Sequence, residues 1–353
     1  MAMLIFQVSG FQVGTVLQGS ADGALTSLTA QGQSLRWAMP LVLMGLGVAV
    51  SFRAGYYNIG AQGQMYAGAL VALMVALASE SQPGWLAVPL SLVAGCVAGA
   101  IWAMVPGVLR VLLGADEVVT TLMGNFIGVL LLQWAAAGPL KSHAGTGQAA
   151  TTERINHAFR LSGDSGVSLT LVALCCAVIA GTWALLGRTR MGLEITLAGR
   201  NPRMARWQGV DPGRLGLFTF AFAGATAGLA GGVELFGPAG ALQADFSPDV
   251  GLMAVVVALV GSLSVWGVVV AAIFFGILRA ATLYLPVVSD LPTSALDLLN
   301  GLVALLITVS RLPRPRGRRA TVPPGTTPMP ATAGPPGSAG PAEAAGPDRA
   351  EAL

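Results

Sequence analysis

Apolar stretches of similar length, separated by short polar loops, recur between residues 37 and 310. Each is close to the roughly 20 residues that a helix needs to cross the hydrocarbon core of a membrane. Lipid offers no hydrogen-bond partners, so a spanning backbone must form helices or a closed barrel, and these stretches lack the alternation of barrel strands. The pattern therefore predicts an all-α, polytopic membrane protein with about nine spans, within a range of eight to ten. The predicted spans are residues 37–52, 58–79, 83–105, 117–137, 167–187, 215–237, 250–263, 265–285 and 294–310.

Some of these spans are predicted to be short or broken. The first two are separated by residues that do not favour a continuous apolar helix, namely Arg53, Gly55, Asn58 and Gly60. The division after Leu263 is weak, because residues 250–285 fit either two spans or one broken element. Short segments interrupted by glycine are typical of the discontinuous helices of transporters.

Composition supports the membrane assignment and excludes other classes. The chain is 54% hydrophobic and 10% charged, whereas a soluble domain carries about 25% charged residues. Cys96, Cys175 and Cys176 all lie inside apolar stretches, so they indicate neither a disulfide framework nor a metal site. The net charge is +3, but the basic residues lie in loops between apolar stretches, which orientation in a membrane explains better than binding of nucleic acid.

The distribution of those basic residues predicts the orientation. Lys and Arg concentrate on the cytoplasmic side of membrane proteins. If the spans alternate, one side receives Arg53, Arg110 and the arginines of residues 188–214 and 311–319. The other side receives fewer cations, which are Arg36, Lys141, Arg154 and Arg160. This bias predicts a cytoplasmic C-terminus.

The chain divides into three predicted regions. Residues 1–36 contain one short apolar stretch and no signal peptide, and we interpret them as an N-terminal segment with a truncated first helix. Residues 37–311 form the transmembrane domain. Residues 312–353 are rich in Pro, Ala and Gly and cannot bury enough apolar surface to fold, so we predict a disordered cytoplasmic tail.

The basic loop of residues 188–214 contains a segment with its own helix start and stop signals. Asn201 suits the N-cap, Pro202 suits the first helical position, and Gly209 suits the end of the turn. Between them lie cations three residues apart and apolar side chains: Arg203, Arg206, Met204, Ala205 and Trp207. Two interpretations stay open, a surface helix that docks into a partner and a positive loop that lies against lipid headgroups.

Uncharged polar residues enter the second span. On a continuous helix Asn58 and Gln62 share a face, whereas Gln64 points away from Gln62. Either the helix breaks near Gly60 and Gly63, or one amide packs against a neighbouring helix. The amides therefore either line a translocation path or only hold helices together.

Charged residues inside spans are candidates for function. Glu234 and Arg279 are both predicted in the outer half of the membrane, where they form a possible intramembrane ion pair. The alternatives are a purely structural pair and an Arg279 side chain that extends alone to the interface. Glu117 follows Asp116 at a helix start, where carboxylates favour the helix dipole.

The sequence contains none of the motifs that would indicate an enzyme. No nucleophile elbow, metalloprotease motif or phosphate-binding loop is present, and Lys141 is the sole lysine. We therefore predict that the chain is not an enzyme and holds neither metal nor cofactor. If ATP drives the protein, another subunit must bind it.

Three stretches of the chain resemble a known family. They are residues 52–64, residues 115–125 followed by Gly138, Pro139 and Leu140, and residues 199–210 with their Asn-Pro and Ala-Arg pairs. Together they resemble the permease subunits of bacterial ABC importers, in the branch that serves nucleosides and simple sugars. The resemblance extends from about Trp37 to Val309.

The resemblance implies a bacterial inner-membrane importer with several partners. These are cytoplasmic ABC ATPase subunits, a second permease chain and an extracytoplasmic binding protein or lipoprotein, besides membrane lipid. By this likeness residues 201–209 are the coupling helix, with Asn201, Pro202, Ala205, Arg206 and Gly209 matching the family pattern. Arg200 stands where an acidic residue is usual, and Ser262 replaces an expected basic or polar residue.

The substrate expected from the resemblance is a nucleoside. The Gly-Pro-Leu after the fourth span is more similar to nucleoside permeases than to ribose-type ones. A neutral, flat ligand is recognised by uncharged amides and aromatic faces, so the candidate path residues are Asn58, Gln62, Gln64, Asn125 and Trp134. The alternatives are a simple-sugar permease of the same architecture and an ion-coupled carrier that works without an ATPase.

Overall fold

A computed structural model of the chain describes residues 23–24, 26–142, 150–161, 168–244, 246–247, 249–288 and 301. Within them lie ten α-helices, and no strand longer than an isolated bridge. The helices are α1 Leu28–Arg53, α2 Ala61–Ala78, α3 Gly84–Leu113, α4 Glu117–Ala137, α5 Leu169–Arg188, α6 Arg190–Arg200, α7 Pro202–Trp207, α8 Pro212–Glu234, α9 Val250–Val260 and α10 Val265–Val288.

The predicted fold class is confirmed. Among the described residues, seven helices are long and apolar enough to cross a membrane, namely α1 to α5, α8 and α10. The chain is therefore a multi-pass helical membrane protein. The predicted span at 250–263 corresponds to the shorter helix α9, and the one at 294–310 lies outside the described residues, as does the predicted tail at 312–353.

The first helix begins earlier than predicted, at Leu28 instead of residue 37. Ser27 caps it by accepting a hydrogen bond from the backbone of Ala30 at 3.0 Å. The polar side chains between Thr29 and Arg36 do not end the helix, because they lie near the end of a span, where water is close. The predicted boundary at residue 36 therefore falls inside α1.

Both predicted interruptions are present. Residues 54–60 separate α1 from α2, and Gly55 has a φ of 88°, which suits glycine. Residues 261–264 form a tight turn between α9 and α10, with Ser262 and Leu263 at φ of 53° and 55°. Residues 250–288 are thus two helices joined by a turn.

The centre of the bundle consists of α1, α2 and α8, most of whose residues are buried. In the outer helices α3, α4 and α5 most residues are not buried, and several large apolar side chains are exposed. Such exposure costs little in lipid, so helix contacts there depend on close packing instead. Glycines provide it between α3 and α8, where a Cβ added at Gly99 or Gly224 would overlap the backbone of the other helix.

The two ends of the bundle differ. One end, called the basic end here, carries Arg53, Arg110, Arg188 and helices α6 and α7. At the opposite end, residues 150–161 pack along residues 236–244, and Ile155 donates to the carbonyl of Gly240 at 3.0 Å. The side chain of Phe159, which belongs to this segment, is buried.

Candidate functional site

The break between α1 and α2 is organised by a pair of carboxamides. Asn58 Nδ2 donates to Gln64 Oε1 at 3.2 Å, and Gln64 Nε2 donates back to Asn58 Oδ1 at 2.9 Å. Asn58 Oδ1 also accepts from the backbone of Gly60 at 2.9 Å. Both side chains are buried. The pair therefore satisfies the backbone N–H of Gly60, at the point where α2 begins.

Asn125 of α4 clamps the same break from the other side. Its Oδ1 accepts from the backbone N–H of Gly63 at 2.8 Å, and its Nδ2 donates to the carbonyl of Ile59 at 2.9 Å. Gly63 makes this approach possible, since a Cβ there would crowd the carbonyl of Gly124. Asn125 lies about 12 Å along α4 from Glu117, at about 1.5 Å per residue. The part of the break that meets α2 is therefore well inside a hydrocarbon core of about 30 Å.

Gln62 joins the start of α2 to the start of α9. Its Nε2 donates to the carbonyl of Ser247 at 2.9 Å, and its Oε1 accepts from the backbone of Gly251. A Cβ on Gly251 would overlap Gln62, so the two helix starts are in direct contact. Interrupted helices that begin at membrane depth are the usual frame of substrate sites in transporters.

The structure brings four of the five predicted path residues together. Asn58, Gln62, Gln64 and Asn125 surround the break, and the hydrogen bonds described above connect their carboxamides to one another or to backbone. Trp134 is not part of this group, because it lies on the outside of α4 and is 65% exposed. A role of these residues in a substrate path stays a prediction.

Asn125→Leu is expected to destabilise the protein by about 2 kcal/mol, because the N–H of Gly63 and the partly buried C=O of Ile59 lose their partner. Leucine has a similar size, so packing between α2 and α4 changes little. Thermal unfolding of the purified protein in detergent would measure the loss. Gln133→Leu is the matched control, since Gln133 is exposed on the same helix. Equal melting of the two variants would contradict the clamp.

A cleft opens beside the break, between α3 and α4. Its volume is about 340 Å³, within the range of small-molecule sites. The walls of the cleft are mostly apolar. The lining residues whose side chains carry nitrogen or oxygen atoms are Gln64, Trp102, Thr120 and Thr121. Sequence reasoning missed Trp102, because an aromatic residue within an apolar span looks like ordinary lipid-facing or core surface. Its only local signal is Pro106, one helical turn further on and directly after the same predicted span.

At the basic end, α7 has the local geometry that the sequence predicts. Asn201 Oδ1 accepts from the backbone of Met204 at 3.0 Å, Pro202 is the first helical residue, and Gly209 follows the helix with a φ of 84°. Ala205 is buried, whereas Trp207 is 87% exposed. Arg203 and Arg206 are exposed as well. The helix is thus held at one point and presents cations and an indole outward.

A small apolar cluster connects α7 to the helices of the bundle. It consists of Val50 and Ala54 at the end of α1, Ile195 and Ala198 of α6, Ala205 of α7 and Leu215 of α8. Polar contacts follow the same route, since Arg53 Nε donates to Thr196 Oγ1 at 3.1 Å. A Cβ on Gly199 would overlap the carbonyl of Arg53, so α6 lies directly against the end of α1.

Tyr56 extends this connection into the break. Its hydroxyl donates to the carbonyl of Pro212 at 2.6 Å, and its ring covers Gly216. Partial burial raises the pKa of the Tyr56 hydroxyl above its ordinary value of 10.0, so the group remains a donor at neutral pH. Tyr56 therefore connects residues 54–60 to the start of α8.

Two ion pairs mark the ends of the bundle. Arg110 Nε lies 3.0 Å from Glu117 Oε2, where α3 leads into α4, and Asp116 caps α4. At the opposite end, Glu234 Oε1 lies 3.3 Å from Arg36 Nη2.

The predicted pairing of Glu234 with Arg279 is therefore replaced by a pairing with Arg36. The guanidinium carbon of Arg279 instead lies 5.4 Å from the ring centroid of Trp37, which Arg36 approaches to 5.0 Å. Residue counting along the spans does not reveal which side chain lies beside Glu234 around the bundle. Arg36 was placed before the first span because the start of α1 was predicted too late.

Among the described residues, no group of His, Cys, Asp and Glu could hold a metal ion. Cys96, Cys175 and Cys176 are free thiols.

Comparison with known proteins gives a consistent picture. The family model for the permease component of the branched-chain amino acid transport system matches residues 32–308. The glucose ABC transporter permease protein TsgB13 of Haloferax volcanii is 33% identical over 298 residues, which cover 81% of this chain and 78% of that protein. The guanosine ABC transporter permease protein NupP of Bacillus subtilis is 30% identical over 313 residues, which cover 87% and 89%.

A third relative is the nucleoside ABC transporter permease protein NupB of Lactococcus lactis. It is 30% identical over 298 residues, which cover 78% of this chain and 82% of that protein. No solved structure gives a significant match.

Proposed function

This chain belongs to the permease-component family of branched-chain amino acid transport systems, and from that premise we propose that it forms the translocation path of an ATP-driven importer for nucleosides. The observation that carries the proposal is the match over nearly the whole bundle, together with relatives named as guanosine and nucleoside permeases. The helix break at membrane depth supports it, because such breaks usually frame transporter substrate sites.

The energy for transport comes from separate ATPase subunits in this proposal. Helix α7 enters a cleft of the ATPase, with Trp207 as an apolar anchor and Arg203 and Arg206 as charged contacts. Its exposure, its independent cap and its apolar connection to α1 and α8 support this role. The basic end then faces the cytoplasm, in agreement with the positive-inside rule, and the proposal includes the cytoplasmic C-terminus that the distribution of Lys and Arg predicts.

Two further partners complete the assembly. A second permease chain, identical or different, faces this one across the path, and an external binding protein or lipoprotein delivers the substrate. The segment of residues 150–161 lies at the end of the bundle where delivery takes place. ATP binding closes the ATPase pair, and motion of α7 passes through Tyr56 and residues 54–60 to the break.

Uptake measurements test the assignment of nucleosides as the substrate. A strain that lacks its own nucleoside importers and expresses the complete system should accumulate labelled guanosine or adenosine. ATP depletion should stop accumulation, and dissipation of ion gradients alone should not. The matched control is the same system with an ATPase that cannot hydrolyse ATP. Uptake of ribose or glucose without nucleoside uptake would overturn the substrate assignment.

A simple sugar is the second candidate. It is favoured by the similarity to the glucose permease protein of Haloferax volcanii. The two candidates differ in what the path must accept, because a purine is flat and aromatic whereas a sugar ring is not. Competition between labelled guanosine and excess unlabelled glucose would separate them.

A further inference from the structure

We propose that the cleft between α3 and α4 is the site where the nucleobase rests during translocation, with Trp102 as its stacking surface and Gln64 as its polar contact. This inference rests on the proposed function and assigns its substrate site. It adds Trp102, which the sequence does not single out, and it excludes Trp134.

The position of the cleft is the first argument. It adjoins the break at Gly60 and the clamp at Asn125, and so lies at the depth where the helices are interrupted. Any rearrangement of residues 54–60 changes its wall directly, because Gly60 and Gln64 are part of that wall. A site placed there responds to motion that arrives from α7.

The polar groups of the cleft are the second argument. Gln64 is only 1% exposed, and its carboxamide is fixed by the two hydrogen bonds to Asn58. A carboxamide has two N–H groups and two acceptor lone pairs on oxygen, so this one keeps a further donor and a further acceptor after pairing. Such groups complement the edge of a base, as carboxamides do with purines in nucleic-acid recognition.

Trp102 is the third argument. It lines the cleft, and its Nε1 lies beside Gly124 on the opposite wall. Within the described part of the chain this indole N–H has no hydrogen-bond acceptor. An indole with a free donor at the edge of its ring offers a base both a flat face and a hydrogen bond.

The open side of the cleft explains why the site looks incomplete in one chain. Val105, Val119, Met123 and Ile127 at its margin are exposed. In the proposed assembly the second permease covers them. The other candidate occupant is a lipid acyl chain, which would need neither the indole N–H nor a fixed carboxamide.

The test uses the complete importer in proteoliposomes, with the binding protein saturated with labelled guanosine. Trp102→Leu should lower the maximal uptake rate about tenfold, the typical effect of removing one aromatic stacking partner from a base. Trp102→Phe keeps a ring and loses the N–H, so uptake should fall about fivefold. Apparent KM should change little, because the binding protein captures the substrate before the permease receives it.

Trp266→Leu is the matched control, an exposed tryptophan on α10 that lies outside the cleft. Its uptake should equal that of the unmodified protein. All variants are compared at equal ATPase association and equal elution from a size-exclusion column, which separates a site effect from misfolding. Uptake by Trp102→Leu at the rate of the unmodified protein would overturn the proposal and would favour a lipid acyl chain as the occupant of the cleft.

Photolabelling provides a second measurement that does not depend on a variant. Radiolabelled 8-azidoguanosine should crosslink to residues 102–109 or 119–127, and excess guanosine should prevent the crosslink. Labelling confined to other segments would overturn the site while leaving the function in place. Absence of guanosine uptake by the unmodified importer would overturn the proposed substrate instead, so the two failures are distinguishable.

Discussion

Arg206→Glu is expected to abolish association with the ATPase while the permease still inserts into the membrane. Arg206 is exposed on α7 and forms no ion pair among the described residues. Reversal of its charge therefore alters the docking surface and not the fold. Co-purification of the ATPase with a tagged permease, normalised to permease in the membrane fraction, measures the effect.

Trp207→Ala is the companion variant. Buried tryptophans at interface centres contribute about 2 kcal/mol or more, which corresponds to at least about thirtyfold in affinity. Arg190→Glu serves as the control, because Arg190 is exposed at the start of α6 and carries the same charge. Equal loss of ATPase in Arg190→Glu and Arg206→Glu would favour a general electrostatic role of the loop. Full retention of ATPase by Arg206→Glu would contradict docking through α7.

Gly228→Val is expected to prevent the bundle from forming. A Cβ at Gly228 would overlap the carbonyl of Gly95 and lie 3.1 Å from the Cα of Gly99, and neither backbone can move without separating α3 from α8. Overpacking by added methyl groups in a tight core typically costs about 1–3 kcal/mol. Because Gly228 contacts two rigid backbones, we expect the destabilisation by Gly228→Val to lie at or above the upper end of that range. We expect little folded protein in detergent by fluorescence-detected size-exclusion chromatography.

Gly181→Val is the control for this prediction. Gly181 lies in α5, and a Cβ there meets no atom within 4 Å. Valine at that position should leave the elution profile and the yield unchanged. A normal profile for Gly228→Val would mean that α3 and α8 separate more easily than their glycine contacts indicate.

Local sequence signals determined the elements that depend on neighbouring residues. Asn201, Pro202 and Gly209 predicted the start and end of α7, because caps and turns involve residues only a few positions apart. The interruption near Gly55 and Asn58 was likewise visible, since a glycine with positive φ and a polar side chain in lipid both oppose a continuous apolar helix.

The start of α1 shows the limit of such signals. Polar residues between Thr29 and Arg36 suggested a loop, whereas the helix accommodates them near its end. Hydropathy locates the part of a helix that lies in hydrocarbon, and a helix that extends beyond it has no apolar pattern to reveal it.

By itself the sequence determined that the chain is a helical membrane protein, where its helices are interrupted and which short helix is exposed at the basic end. Only the tertiary structure decided that Glu234 pairs with Arg36, that Trp134 lies apart from the break and that Trp102 lines the cleft. The reason is physical. Span length and helix ends follow from neighbours along the chain, whereas the rotation of each helix about its axis depends on close contacts between distant segments, such as those of Gly63 with Gly124 and Gly95 with Gly228.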